Sequence, residues 1–430
     1  MKNLNEYILK NCTLISMDKS RTKVEENIDI WIKKDKIFKI DTHIIVKGIK
    51  TFNMTGKIVM PGFINAHSHM PMSIFRETID GYGLQSWLTE KVFKMEAKLD
   101  NKDIYTATLI SCLEAIKTGT TTVNNMYFAA KSTSSAFKKC KIRVMQTQHL
   151  LDIDGKGKEN ISLFRELMKA RHSSLEVRAI GTHSFYTISP KYLKEVNKLI
   201  EEFNLPIHIH FCENEEEVAT ICKIHKVENP VDLLEKYRNK KLILAHCVAL
   251  SSAEIMRISK FADANIVFNP VSNLKLGCGI AKIHQMQKHK INVCLGTDGQ
   301  GSGSNLDMFE TMKLAALIIK GYYKDPMLMP SYEVLKMATI NGAKALGLED
   351  KIGSIEEGKQ ADLIVLDLNK IITSPINNIF AQLVYNAKGT DVEMTIINGE
   401  ILYIKGKYLV LDEEKELIVK ANEIIERITE

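Results

Sequence analysis

Two histidines separated by one residue, His67 and His69, close an apolar stretch of this 430-residue chain. On an extended strand, residues two apart point the same way, so both imidazoles can reach one ion. The pair alone decides little. With 12 histidines in the chain, roughly 0.3 such pairs arise by chance, and a second pair, His208/His210, is present. The context decides more. Polar groups also stand at the ends of later apolar runs: Asn124 and Asn125, Gln148 and His149, His183, His210 with Glu213 close behind, His246, Asn269 with Asn273, and Asp298. Between the runs only His172, His225, His284 and His289 occur. Metal-liking side chains therefore gather at one end of whatever the runs build, as a catalytic face requires.

A catalytic zinc takes about three or four protein ligands and keeps one position for water. His67, His69, His210 and Asp298 can supply those ligands. A metal held there lowers the pKa of bound water toward about 7 and gives hydroxide at neutral pH. Glu213 can take the proton and deliver it to a ring nitrogen, and His246 can hydrogen-bond the hydroxide or the tetrahedral intermediate. Glu213 also opens the acidic run Glu213, Glu215, Glu216, Glu217, which reads equally well as a solvated helix start. His208 reads as an interior residue.

Stepping from these groups to their supports, eight short apolar runs alternate with helical stretches, the mark of a parallel sheet with crossover helices. The runs are 58–66, 120–125, 142–148, 177–182, 206–210, 242–246, 265–269 and 292–296, and the clearest helices are 104–117, 192–203, 252–261 and 306–319. Eight strand–helix units predict an α/β fold, a (β/α)₈ TIM-type barrel with its reactive groups where the strands end. The two chain ends read differently. Residues 28–32 alternate, Lys34-Asp35-Lys36 makes a turn, and 37–40 follow as a second strand, which is hairpin patterning. Similar strands return at 361–366 and 394–400. The expected division is a composite β-sandwich domain from 1–57 and 349–430, bracketing a catalytic barrel over 58–348. From Asp412 the spacing of Leu417, Ala421, Ile424, Ile425 and Ile428 predicts an amphipathic terminal helix.

Composition narrows the field. The chain is 45% hydrophobic and 26% charged with a net charge of +6, and no basic cluster marks a nucleic-acid or membrane surface. A small-molecule partner is expected, with no nucleic acid and no membrane. The eight cysteines include no C-x-x-C pair, which argues against the thiolate zinc site of small cytidine deaminases. The beginning of the chain, Met1 to Glu6, lacks an apolar leader core, and no run spans a bilayer. These readings predict a cytoplasmic protein, and a homo-oligomer is expected. Gly353-Ser354-Ile355-Glu356-Glu357-Gly358-Lys359 has phosphate-loop spacing, but Gln360 stands where a magnesium-binding hydroxyl is needed.

Taken together, these stretches resemble the amidohydrolase superfamily and, within it, the 5-methylthioadenosine/S-adenosylhomocysteine deaminase group. The likeness is carried by Pro61-Gly62-Phe63-Ile64-Asn65-Ala66-His67-Ser68-His69, by His210-Phe211-Cys212-Glu213 and by Ala245-His246-Cys247. Asn269-Pro270-Val271-Ser272-Asn273, Leu295-Gly296-Thr297-Asp298-Gly299 and the tail 353–362 complete it, in order along nearly the whole chain. The resemblance implies one zinc per chain, with iron as the other candidate, on His67, His69, His210 and Asp298. It implies catalytic roles for Glu213, His246 and Asp298, with Glu213 as proton shuttle and His246 over the reacting carbon. It also places Glu96 on the ribose hydroxyls and His183 on the purine ring, although Glu96 by itself reads as an exposed residue of a charged helix.

Two positions depart from the pattern. Where relatives that accept S-adenosylhomocysteine use arginines to hold its carboxylate, this chain has Gln148, with Lys158 as the nearest basic candidate. Gln148 cannot offer a charged bidentate fork. The expected substrate is therefore 5′-methylthioadenosine, adenosine or 5′-deoxyadenosine rather than S-adenosylhomocysteine. Phe268 stands where relatives often carry histidine. The competing readings are an aminohydrolase acting on guanine, cytosine, a pterin or a triazine, and a non-catalytic barrel scaffold.

Overall fold

The computed structural model describes residues 4–21 and 23–430. Residues 1–3, where the N-terminal reading began, and residue 22 lie outside them. The expected hairpin forms from β2 (Glu25–Lys33) and β3 (Lys36–Asp41), preceded by β1 (Glu6–Leu14) and followed by β4 (Lys50–Asn53) and β5 (Ile58–Pro61). The barrel strands come next: β6 (Phe63–Ser68), β7 (Thr120–Tyr127), β8 (Arg143–Leu150), β9 (Glu176–Arg178), β10 (Ile180–Thr182), β11 (Ile207–Phe211), β12 (Lys241–His246), β13 (Asp263–Phe268) and β14 (Asn292–Leu295). The chain then returns to the first sheet with β15 (Leu363–Leu366), β16 (Val392–Ile397), β17 (Glu400–Ile404) and β18 (Lys407–Tyr408).

Every pairing from β6 round to β14 is parallel. The order is β14-β13-β12-β11-β10-β8-β7-β6, with β9 and β10 together filling one of eight positions. The strands are buried on both faces, β7 and β8 along their whole length, as parallel strands wrapped by helices must be. Closure is made by a single parallel bridge between Ser68 and Asp298, where the Asp298 N–H donates to the His67 carbonyl at 3.1 Å. The barrel is thus sealed at two of its candidate metal ligands.

The second sheet runs β18-β17-β16-β15-β5-β1-β2-β3, with β4 beside β1, so both chain ends contribute to it. It has its own core, including Tyr7, Leu9, Ile30, Ile32, Leu363, Val365 and Ile396. The two ends meet tip to tip. Asn398 and Gly399 turn β16 into β17 with φ of 53° and 75°. A Cβ on Gly399 would sit 1.9 Å from the Lys34 carbonyl oxygen in the β2–β3 turn, so only glycine fits both the angle and the gap.

The structure divides the first apolar run, read as one barrel strand over 58–66. Ile58–Pro61 pairs with β1 and β15 in the second sheet, and only Phe63 onward enters the barrel. Gly62 makes the transfer where a Cβ would lie 2.1 Å from Thr121 Cγ2. Apolar content marks burial but does not say in which sheet, which is why the run read as continuous.

Two contacts tie these layers to the site. Arg143 on β8 and Asp362 before β15 form a buried bidentate pair, Nε–Oδ2 2.7 Å and Nη2–Oδ1 3.0 Å, and Asp362 Oδ1 also accepts the Asn398 N–H at 2.7 Å. The terminal helix Glu414–Thr429 buries Ile424 and Ile428 against Phe75, Leu84, Trp87 and Val92. It thereby buttresses the segment that leads to Glu96. Among the described residues no helix is long and apolar enough to cross a membrane. Asp362→Ala leaves a buried guanidinium unpaired and should cost about 3–5 kcal/mol. Urea unfolding of the variant checks this, and an unchanged midpoint would show that the pair does not join the layers.

Candidate active site

The side chains singled out in the sequence converge at the end of the barrel where the strands terminate. His67 is the fifth residue of β6, and His69 lies one residue beyond that strand. Both reach the same carboxylate: Asp298 Oδ1 is 3.4 Å from His67 Nε2 and 3.2 Å from His69 Nε2. His210, on β11, brings its Nε2 to 3.1 Å from His69 Nε2. The outer nitrogens are committed elsewhere. His210 Nδ1 donates to the His183 carbonyl at 2.6 Å, His69 Nδ1 donates to the Met126 carbonyl, and His67 Nδ1 meets His208 Nε2 at 2.9 Å. His208 is fully buried, as its reading as an interior residue predicted.

The two carbonyl contacts fix the tautomers of His69 and His210. An imidazole that donates through Nδ1 presents a bare lone pair at Nε2. Two such nitrogens 3.1 Å apart, with a carboxylate oxygen close by, call for a proton or a cation between them. Burial holds His67 and His210 below the usual imidazole range. His69 is the exception: burial lowers its proton affinity, but the hydrogen-bonded Asp298 carboxylate outweighs it. His67 Nε2 has no hydrogen-bond partner. The ligand atoms of His67, His69 and Asp298 lie within 4.8 Å of one another, as do those of His67, His210 and His246. Imidazole and carboxylate donors gathered in this way suit a divalent transition metal, so the residues fit such an ion.

Glu213 and His246 stand beside this cluster. Glu213 Oε1 is 3.4 Å from His246 Nδ1, and Asn273 and Asn269 donate to the same nitrogen at 2.9 and 3.3 Å. Burial, then the charges of Asp298 and Glu217, push the Glu213 carboxyl well above the usual carboxylate range. A carboxyl raised in this way is suited to proton transfer. His246 Nε2 is buried with no partner. Positive φ angles at His246 (74°), Asp298 (63°) and Cys212 (50°) turn the chain sharply where it leaves the strands and re-aim these side chains.

The remaining expected residues divide. His183 is buried, with its ring centre 4.8 Å from that of His210, and burial pushes its pKa down to about 3. Glu96 closes a short helical turn, Phe93–Glu96. Burial lifts its carboxyl to about 7, while Tyr127 and His69 oppose the lift. Gln148 and Lys158 are not brought to the cluster. Gln148 Oε1 accepts the Ala130 N–H at 3.1 Å on the helix side of β8, and Lys158 is exposed on the helix Gly157–Lys169. The next strand residue, His149, faces the interior instead. It is buried, its Nε2 has no partner, and its ring centre is 5.2 Å from that of His183. Strand parity is the signal that would have found it. Phe268 is packed in the large hydrophobic core rather than the site.

Known proteins resemble this chain over nearly its whole length. The model of the Amidohydrolase family matches residues 58–402. The chain is 38% identical to a 5-methylthioadenosine/S-adenosylhomocysteine deaminase of Thermoanaerobacter pseudethanolicus, covering 95% of this chain and 96% of that one. It is 37% identical to a 5′-deoxyadenosine deaminase of Methanocaldococcus jannaschii, covering 93% and 96%. Among solved structures, an adenosine deaminase from Xanthomonas campestris with bound zinc superposes with a TM-score of 0.91, at 27% identity and 98% coverage of both chains.

The lone-pair geometry predicts about one equivalent of divalent transition metal in the purified protein, read by elemental analysis. His210→Ala should lose most of that metal while keeping its circular dichroism. Full metal retention in the folded variant would remove His210 from the ligand set.

Proposed function

The chain belongs to the amidohydrolase family, and on that premise we propose that it is a metal-dependent hydrolytic deaminase of adenine nucleosides, releasing ammonia. The observation that carries this reading is the juxtaposition of two features. One is a buried set of imidazoles and a carboxylate whose ligand atoms lie within 4.8 Å of one another. The other, beside it, is a buried carboxyl whose pKa is raised by burial and by the charges of Asp298 and Glu217. We assign the cation to zinc, with iron as the other candidate, on His67, His69, His210 and Asp298. When bound, such a cation supplies Lewis-acid activation of water at neutral pH.

The protein's own groups do the rest. Glu213 gives its proton to the purine ring nitrogen beside the reacting carbon, takes one from the attacking water and passes it to the departing amine, which leaves only once protonated. It then recovers the water's second proton as the carbonyl forms. His246, steadied through Nδ1 by Asn273, directs Nε2 at the attacking oxygen. His183 contacts the purine ring, and the Glu96 carboxylate accepts the neighbouring ribose hydroxyls. With Gln148 turned toward a helix, no arginine fork takes an amino-acid carboxylate at that position. The preferred substrates are therefore 5′-methylthioadenosine, 5′-deoxyadenosine and adenosine, with S-adenosylhomocysteine poorer. We place the enzyme in the cytoplasm, in keeping with its eight free cysteines, and as a homo-oligomer.

Ammonia release should be seen with these three nucleosides and be weaker with S-adenosylhomocysteine, guanine and cytosine. Release from guanine alone would move the reading to another base. Glu213→Gln should lower kcat by about 10²–10⁴-fold. Glu96→Gln should raise KM for nucleosides about 10-fold or more through loss of a charge-assisted hydrogen bond. An unchanged KM would take Glu96 off the ribose.

A further inference from the structure

The acidic run after β11 does not behave as one surface. Glu215 and Glu216 are exposed, as the first turn of a solvated helix should be, whereas Glu217 is 0% exposed. Its two oxygens face two different loops. Oε1 accepts the Ser184 hydroxyl at 2.6 Å, and Oε2 accepts the Glu213 N–H at 2.6 Å. Asn214 caps the helix Glu215–His225 and accepts the Glu217 N–H at 2.7 Å, so the turn that carries Glu217 is itself fixed. No lysine, arginine or histidine pairs with Glu217 among the described residues. A buried carboxylate without a cation is costly, and the helix start does not require one there, since its acidic neighbours lie in solvent.

What Glu217 holds is informative. Ser184 directly follows His183 at the end of β10, and Glu213 leaves β11 just after Cys212, whose φ is 50°. Both residues stand beyond their strands, where ladder hydrogen bonds have stopped. We propose that Glu217 is a positioning residue: its buried carboxylate ties the Glu213 peptide N–H to the Ser184 hydroxyl and so fixes the turn that carries the acid–base carboxyl to the turn that follows His183. Glu217 touches neither substrate nor reacting atoms and acts through Glu213. Its charge also adds to the burial that raises the Glu213 carboxyl's pKa. The inference rests on the deaminase reading above.

Glu217→Gln tests it. An amide keeps one acceptor oxygen for the Glu213 N–H and turns its NH₂ to the Ser184 hydroxyl, which then accepts, so the charge and both charge-assisted bonds are lost with little change in volume. We expect kcat for 5′-methylthioadenosine to fall about 10²-fold, the scale of a misplaced catalytic group, with KM within about 3-fold and metal content unchanged. Ser184→Ala should show a smaller loss, and adding it to Glu217→Gln should cost much less than the product of the two effects, because both cut one unit. Wild-type kcat and KM in Glu217→Gln, or a fall in Tm with activity per folded molecule intact, would overturn the proposal. A wild-type protein that deaminates no adenine nucleoside would sink the functional reading instead. The brace is then read without substrate by hydrogen exchange at the Glu213 amide. Glu217→Ala should speed that exchange, and an unchanged rate would overturn the brace itself.

Discussion

Lone pairs of several buried nitrogens and one carboxylate oxygen point at a common spot, and most of what surrounds them exists to keep them there. Left free, the His69 and His210 rings would turn their Nε2 atoms, now 3.1 Å apart, away from a common point. They cannot, because their Nδ1 atoms are anchored to the carbonyls of Met126 and His183. Those carbonyls belong to the ends of neighbouring strands. Backbone geometry therefore sets the tautomer, and the tautomer sets the chemistry. The same arrangement closes the barrel, since the bridge that joins β6 to β14 runs through Ser68 and Asp298. Fold closure and ligand placement are one event.

The outer layers serve this inner geometry. A barrel sealed by a single bridge has a weak seam. Helix 340–346 packs across it, with Gly342 against Ile64 at a distance that would leave a Cβ 2.9 Å from that side chain. On the far side, the Arg143–Asp362 pair fixes β8 to the second sheet. The terminal helix holds the Glu96 segment, with Arg427 donating to the Lys98 carbonyl at 3.1 Å and Lys98 donating to that of Ile428 at 2.9 Å. The segment that carries Glu96 thus sits on a support built from the other end of the chain.

Much of this was legible because barrel chemistry collects at strand ends. A run of Ile, Val and Leu that stops at a histidine states both the element and the position of its reactive group, as with His210 and His246. The register of a single residue was less legible. Gln148 and His149 are adjacent at the end of β8, and which of them faces inward is a matter of parity that apolar content does not reveal in a strand buried on both sides. The run over 58–66 hid a change of sheet at Gly62, visible only once Thr121 is placed beside it. Glu217 was hidden for the opposite reason. It lies in a stretch whose charge reads as solvated, and only the loop from Ser184 that folds over it makes it interior. Phe268, where the resemblance led to an expectation of histidine, packs in the core.

The carboxyl groups then divide by their donors rather than by their burial. Glu213 and Glu217 are both deeply buried and both raised in pKa by it. Glu217 receives a hydroxyl and a peptide N–H, donors that favour its ionised form, whereas Glu213 has only the thiol of Cys278 at 3.8 Å as a donor. Two carboxylates this close do not both ionise readily. The one with the stronger hydrogen-bond donors is the more readily ionised of the two. The consequence for stability has a definite sign. Each raised group binds its proton more tightly in the folded chain than in the unfolded one. Between the unfolded and folded pKa values folding therefore weakens as pH rises. A site that needs Glu213 protonated is built at that expense, and the hydrogen bonds from Ser184 and Glu213 to Glu217 offset part of it.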